Sequence, residues 1–130
     1  MLGHLSFGVH DLVRAAAFYD AILAPLGFVR VWTSPHAVGF GPPGGGDKLA
    51  LFSRPGEVIA PGPGFHLAFD APSREAVDRF HAAALAEGAT DEGKPGVRLH
   101  YSSTYYAAFV RDIDGYKLEA VNQQSLLNSE

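Results

Sequence analysis

One strand pattern occurs twice in this chain, and a helix pattern follows it each time. His4-Leu5-Ser6-Phe7-Gly8-Val9 alternates apolar residues with small or polar ones, and so does Phe65-His66-Leu67-Ala68-Phe69-Asp70-Ala71. Such alternation marks a strand with one face on a core. Laying His4 on His66 places Leu5 on Leu67, Phe7 on Phe69 and Val9 on Ala71. Leu12 to Leu26 then carries Ala15, Phe18, Tyr19, Ile22, Leu23 and Leu26 at helical spacing, with Asp11 as N-cap and Gly27 as stop. Ser73 to Glu87 repeats the arrangement with Ala76, Val77, Phe80, Ala84 and Leu85. Ser73 caps it, Glu75 suits its positive end and Gly88 closes it. Phe18 falls on Phe80, and Gly27 falls within one residue of Gly88.

Strand-like segments follow each helix. They are Phe28 to Trp32, Ala37 to Phe40 and Lys48 to Ser53 in the first half. In the second they are Ala89 to Glu92, Tyr105 to Asp112 and Tyr116 to Val121, the last two joined by a tight Asp112-Ile113-Asp114-Gly115 turn. Gly39 to Gly46 reads as a hairpin tip or mobile loop. Arg54 to Gly64, with Pro55, Pro61 and Pro63, reads as the connection between the halves. The predicted class is α+β, a single domain over 1–130 with modules at about 1–58 and 64–124. Two βαβββ modules form a curved mixed sheet, each helix covering one face and leaving a concave cavity on the other.

Composition narrows the function. Of 130 residues 47% are hydrophobic and 18% charged, enough apolar material for a packed interior. Fourteen acids against ten bases give a net charge of -4, with no Lys/Arg run, so neither nucleic acid nor an anionic membrane is an expected partner. The absence of cysteine removes disulfides, thiolate nucleophiles and Cys-ligated metals. No membrane span and no basic leader region are visible, and the expected compartment is the cytoplasm.

The free face carries the chemistry. His4 and His66 occupy matching places on the side turned from the helices. If Leu118 packs on its helix, Glu119 points to that same side. Two imidazoles and a carboxylate form a facial set with open positions, suited to Fe2+, Mn2+, Ni2+, Co2+ or Zn2+. Such an ion can polarise a carbonyl, stabilise an enolate or position an attacking group.

Other residues are weighed beside these. The segment Val97 to Tyr106 is the densest in polar and aromatic groups. His100 can serve as acid or base, and Tyr101 and Tyr105 can bind substrate oxygens or stack on a ring. The bland alternative is a loop folded over the sheet edge. Trp32 can line the same cavity, with dimer or core packing the preferred reading; His10 is assigned to an exposed position and His81 to a surface or interface, and His36 is undecided. Arg98, Arg111 and Lys117 are candidates for a substrate anion, with Arg111 left outside the site.

Gly3-His4-Leu5, Val9-His10-Asp11-Leu12, the Phe18-Tyr19 helix and the run Phe109 to Glu119 together resemble the vicinal oxygen chelate superfamily, over roughly 4 to 122. That superfamily includes glyoxalase I, extradiol dioxygenases, fosfomycin resistance transferases and bleomycin-binding proteins. The resemblance implies His4, His66 and Glu119 as metal ligands. The fourth ligand typical of glyoxalase I would fall at about Ala50, which cannot ligate, so the triplet is closer to the dioxygenases and fosfomycin transferases. The resulting expectation is a metal-dependent enzyme acting on a small molecule whose neighbouring oxygens chelate the ion, with His100 or a tyrosine moving protons. The alternative is a metal-free protein that sequesters a drug or other small ligand, as the bleomycin-binding relatives do. Core size and the resemblance both imply a homodimer, with His4 joining His66 and Glu119 within one chain or across two.

Overall fold

The computed structural model of the protein describes residues 1–57 and 61–124. Residues 58–60 of the connection, and with them the expected end of the first module, lie outside the described residues. The first module runs β1 (Leu5–Val9), α1 (Leu12–Leu23), β2 (Val29–Thr33), β3 (Ala37–Gly41) and β4 (Leu49–Ser53). The second runs β5 (Leu67–Asp70), α2 (Arg74–Ala86), β6 (Thr90–Val97), β7 (Tyr106–Arg111) and β8 (Lys117–Asn122). Each module is a four-stranded mixed sheet, ordered β1-β4-β3-β2 and β5-β8-β7-β6. The first strand of each pairs in parallel with the last. Right after each first strand comes the helix, whose apolar stripe packs on one face of that sheet. No helix among the described residues is long and apolar enough to cross a membrane.

Both helices start where side-chain oxygens can satisfy free amides. Asp11 accepts from the Arg14 amide and Ser73 from the Ala76 amide. The first helix stops at Leu23 and tightens into a 3₁₀ turn over Ala24–Leu26, since Pro25 cannot continue the α-helical ladder; Gly27 takes the left-handed conformation with φ 91°. Phe18, Tyr19, Ile22, Val77, Phe80 and Ala84 are buried in one core with Leu51, Val38, Leu118 and Val110. Leu85, expected in the stripe, is 40% exposed instead; it lies at the edge of the apolar arc.

Three further expectations are corrected. Gly39 to Gly41 is not part of a loop: it is the second half of β3 and fully buried. A β-carbon at Gly39 would overlap the Trp32 indole, so glycine is what lets that ring lie on the strand. Trp32 therefore covers the sheet face and is 36% exposed rather than sitting in the core. The short segment at Ala89 to Glu92 is an eight-residue strand, Thr90–Val97, that includes Lys94-Pro95-Gly96. It pairs with β7 only, with register shifts near Gly93, and an edge strand tolerates a proline whose missing N–H faces outward. Finally, His81 is buried, not on the surface, and its Nε2 lies 3.0 Å from Asp91 Oδ1, tying α2 to β6.

The modules are fastened by polar contacts around Asp112. The Tyr19 hydroxyl on α1 donates to Asp112 Oδ2 in the β7–β8 turn. Asp112 Oδ1 accepts from the amides of Asp114 and Tyr116. Tyr116 donates its hydroxyl to the Gly8 carbonyl at 2.7 Å, and its ring lies 4.3 Å from that of Phe7. His10 Nδ1 lies 3.2 Å from Asp114 Oδ1, and its other nitrogen lies 2.7 Å from the Glu57 carbonyl oxygen. Arg14 on α1 donates to the Glu87 carbonyl oxygen at the end of α2.

Two predictions follow from these contacts. Tyr19→Phe strands a buried carboxylate oxygen and is expected to cost about 1–3 kcal/mol in guanidinium unfolding, without loss of helix by circular dichroism. Asp91 is held below the ordinary carboxylate range, first by the His81 hydrogen bond and then by the Gly93 amide. A depressed carboxylate adds stability above its unfolded pKa and loses it as pH falls through the folded one. Asp91→Asn should therefore lower the melting temperature at pH 7 and flatten its decline below about pH 4.

Candidate functional site

On β8, Leu118 and Ala120 enter the core, so Lys117, Glu119 and Val121 face the other way. On β7 the same rule turns Ala107, Phe109 and Arg111 to that face, because Ala108 and Val110 are core. Strand register places Ala68, Glu119 and Phe109 in one row, with Gly93 beyond them. His66, one step before β5, reaches back over this row: its Nε2 is 2.7 Å from Glu119 Oε1. The Tyr105 hydroxyl donates to the other carboxylate oxygen, Oε2. Glu119 is thus 1% exposed yet has a partner on each oxygen, which answers the cost of burying a carboxylate. Burial, and then the Glu119 carboxylate, push the Tyr105 phenol above its ordinary range, so it stays a hydrogen-bond donor at neutral pH.

The other loop candidates extend from this pair. Tyr101 packs on Tyr105 with ring centroids 4.7 Å apart, and His100 packs on Tyr101 at 4.2 Å. Tyr101 remains 59% exposed, and His100 is exposed beyond it. One continuous path runs His100, Tyr101, Tyr105, Glu119, His66. Only Tyr105 of the three loop residues touches the carboxylate by a hydrogen bond.

His4 is elsewhere. It stands exposed just before β1, at the rim of a cavity of about 240 Å³ walled by Leu23, Phe28, Phe40 and Leu67. Among the described residues no group of three or more His, Cys, Asp or Glu side chains converges. One chain brings His66 and Glu119 together and does not bring His4 to them. Register also pairs Ser6, Ala50 and Gly39 in the first module, the row equivalent to Ala68, Glu119 and Phe109. Ala50 occupies the place of Glu119 and offers no donor.

The remaining candidates separate by their partners. Arg98 spends its guanidinium on the carbonyls of Gly96 and Lys94. Phe109 was not anticipated: its ring carries Arg98 at 5.3 Å and Lys117 at 5.7 Å, and lies 5.7 Å from the His66 ring. Gly93 leaves room for it, since a β-carbon there would press on Phe109. The period-two pattern Tyr105, Ala107, Phe109, Arg111 is the signal that places it on the free face.

Comparison with known proteins agrees with this architecture. The family model described as glyoxalase/bleomycin resistance protein/dioxygenase superfamily matches residues 1–120. The chain belongs to that superfamily. A glyoxalase/bleomycin resistance protein from Albidiferax ferrireducens T118 is 35% identical, with a TM-score of 0.80 over 92% of this chain and 96% of that one. A family enzyme from Burkholderia phytofirmans PsJN is 24% identical, with a TM-score of 0.72 over 95% and 98%. The fosfomycin resistance protein FosX from Mesorhizobium loti shares the fold at 21% identity and a TM-score of 0.68, over 98% and 94%. No curated protein matches. The superfamily contains enzymes, and the repeated modules seen here are its architecture.

Tyr105→Phe tests the pairing on Glu119. It removes one partner of a buried carboxylate and should lower stability by about 1–3 kcal/mol in urea denaturation. Tyr101→Phe, at an exposed ring with no carboxylate partner, should change it by under about 0.5 kcal/mol.

Proposed function

We propose that this protein is a metal-dependent enzyme acting on a small molecule that chelates the ion through neighbouring oxygens. The observation that carries the reading is the buried Glu119 carboxylate with the His66 imidazole 2.7 Å away, facing an open sheet surface. Nitrogen and oxygen donors of this kind fit Fe2+, Mn2+, Ni2+, Co2+ or Zn2+. His66 and Glu119 would hold the ion, and His4 of the partner subunit would complete the facial set in a homodimer. The exposure of His4 at the start of β1 and its place in the repeat support that completion. An ion held there would supply Lewis-acid stabilisation of a developing oxyanion. Tyr105 keeps the carboxylate oriented through its hydroxyl. Tyr101 and His100 stack outward from it, where they would contact a substrate on the ion and His100 would take up a proton. The cytoplasm remains the proposed compartment.

A second reading, metal-free sequestration of a drug-like ligand, draws on Trp32. Its indole lies over Gly39 on the first module's sheet face and is 36% exposed, a surface on which a planar ligand can stack. Saturable quenching of Trp32 in chelator-treated protein that takes up no metal favours this reading.

Subunit mixing tests the first. His4→Ala and the double variant His66→Ala/Glu119→Gln should each lose Mn2+ binding by electron paramagnetic resonance. Mixed and reannealed, they should regain up to one site per mixed dimer, because one of its two shared sites again has all three donors. Mixtures that regain none, with dimers shown to exchange, overturn the shared site.

A further inference from the structure

A second feature of the second module's free face is an excess of positive charge on an acidic protein. Arg111 and Lys117 are directly opposed in the β7–β8 register, and His66 lies beside Lys117 one step before Leu67 pairs with Leu118. Like charges facing each other across a ladder destabilise it, so this pair has to be explained. Arg111 is partly answered: it donates to the Gly115 carbonyl at 2.8 Å and to Glu92 at 3.1 Å. Among the described residues Lys117 forms no ion pair with a carboxylate; its ammonium rests over the Phe109 ring. These three side chains and the loop 61–65 wall a cavity of about 600 Å³, and among the described residues no Asp or Glu lines it. Net charge over the chain is -4, so a cavity edged by Arg111 and Lys117 runs against the average.

We propose that this cavity is an anion subsite, in which Lys117, assisted by Arg111, receives a carboxylate or phosphate group. The inference deepens the function proposed above and rests on it for the other end of the ligand. Lys117 and Glu119 are two residues apart on one strand face, about 7 Å. The substrate class is then a small acid or phosphate ester whose anionic end lies about 7 Å from the oxygens that face His66 and Glu119. Lys117 selects for charge, while Phe109 beneath it excludes water from one side of the ammonium.

The test uses chelator-treated full-length protein and amide NMR titrations at low ionic strength. Inorganic phosphate and succinate are the two probes, with neutral succinamide as comparator. Either anion should shift the amides of Gly62, Gly64 and Lys117 saturably, and succinamide should not. Preference between the two separates a phosphate ester from a carboxylic acid. Lys117→Met should weaken binding about fivefold, the scale of one partly exposed ion pair, and Lys117→Arg should largely restore it. Raising the salt concentration should weaken binding further in wild type than in Lys117→Met. Equal affinity in Lys117→Met and wild type, or shifts scattered away from the cavity, overturns the subsite. Mn2+ binding measured on the same samples keeps the two readings apart. Anion binding at Lys117 without Mn2+ uptake sustains the subsite and removes the metal, and Mn2+ uptake without anion binding does the reverse.

Discussion

Asp112 is the point on which the arrangement of the two modules turns. It is buried, it opens the turn after β7, and it accepts from a hydroxyl on the first module's helix and from two amides of its own turn. Burial raises its proton affinity above the ordinary carboxylate range, although all three hydrogen bonds act to lower it. The site is therefore electrostatically costly, and the three donors offset that cost. What it secures is direction. With Tyr19 on one side and the Tyr116 hydroxyl on Gly8 on the other, the second module docks so that β1 starts beside Leu67 to Asp70. That docking leaves the face bearing Glu119 open and puts His4 at a different mouth of the molecule. The separation of His4 from the His66–Glu119 pair follows from how the modules are joined.

The repeat is closer in backbone than in chemistry. Ser6, Ala50 and Gly39 form the row that Ala68, Glu119 and Phe109 form in the other module. Aromatic and glycine are exchanged between the two: Trp32 on β2 covers Gly39 on β3, whereas Phe109 on β7 covers the position of Gly93 on β6. Each sheet thus gains one aromatic cover, from opposite strands, and only the second gains a carboxylate. The first module offers a stacking surface and a terminal imidazole, and the second offers the donors and the cations.

Much of this was legible because it is periodic. Alternation in 4–9 and 65–71, the two apolar helical stripes and the caps Asp11 and Ser73 are local signals, and the modules, helices and face of Glu119 followed from them. The face assignment held because Leu118 has a core partner on α2, which leaves Glu119 one direction to point. Whatever depended on contacts between distant residues was not legible. Lys94-Pro95-Gly96 reads as a loop until β7 is beside it, and only edge position makes it a strand. His81 reads as a polar residue on a helix surface until Asp91 arrives from β6 to receive it. The separation of His4 from His66 was invisible for the same reason: the repeat sets equivalent positions, and the docking of the modules sets distances.

The contacts on Glu119 bear on the order of events in such a protein. In small domains built around a metal, ligands that would repel or stay unsolvated drive unfolding when the ion is absent. Here the carboxylate oxygens already have an imidazole and a phenol, and the apolar core lies on the opposite faces of the sheets. Folding and site occupancy are therefore separable. The chain can reach its native architecture with the carboxylate answered by its own side chains.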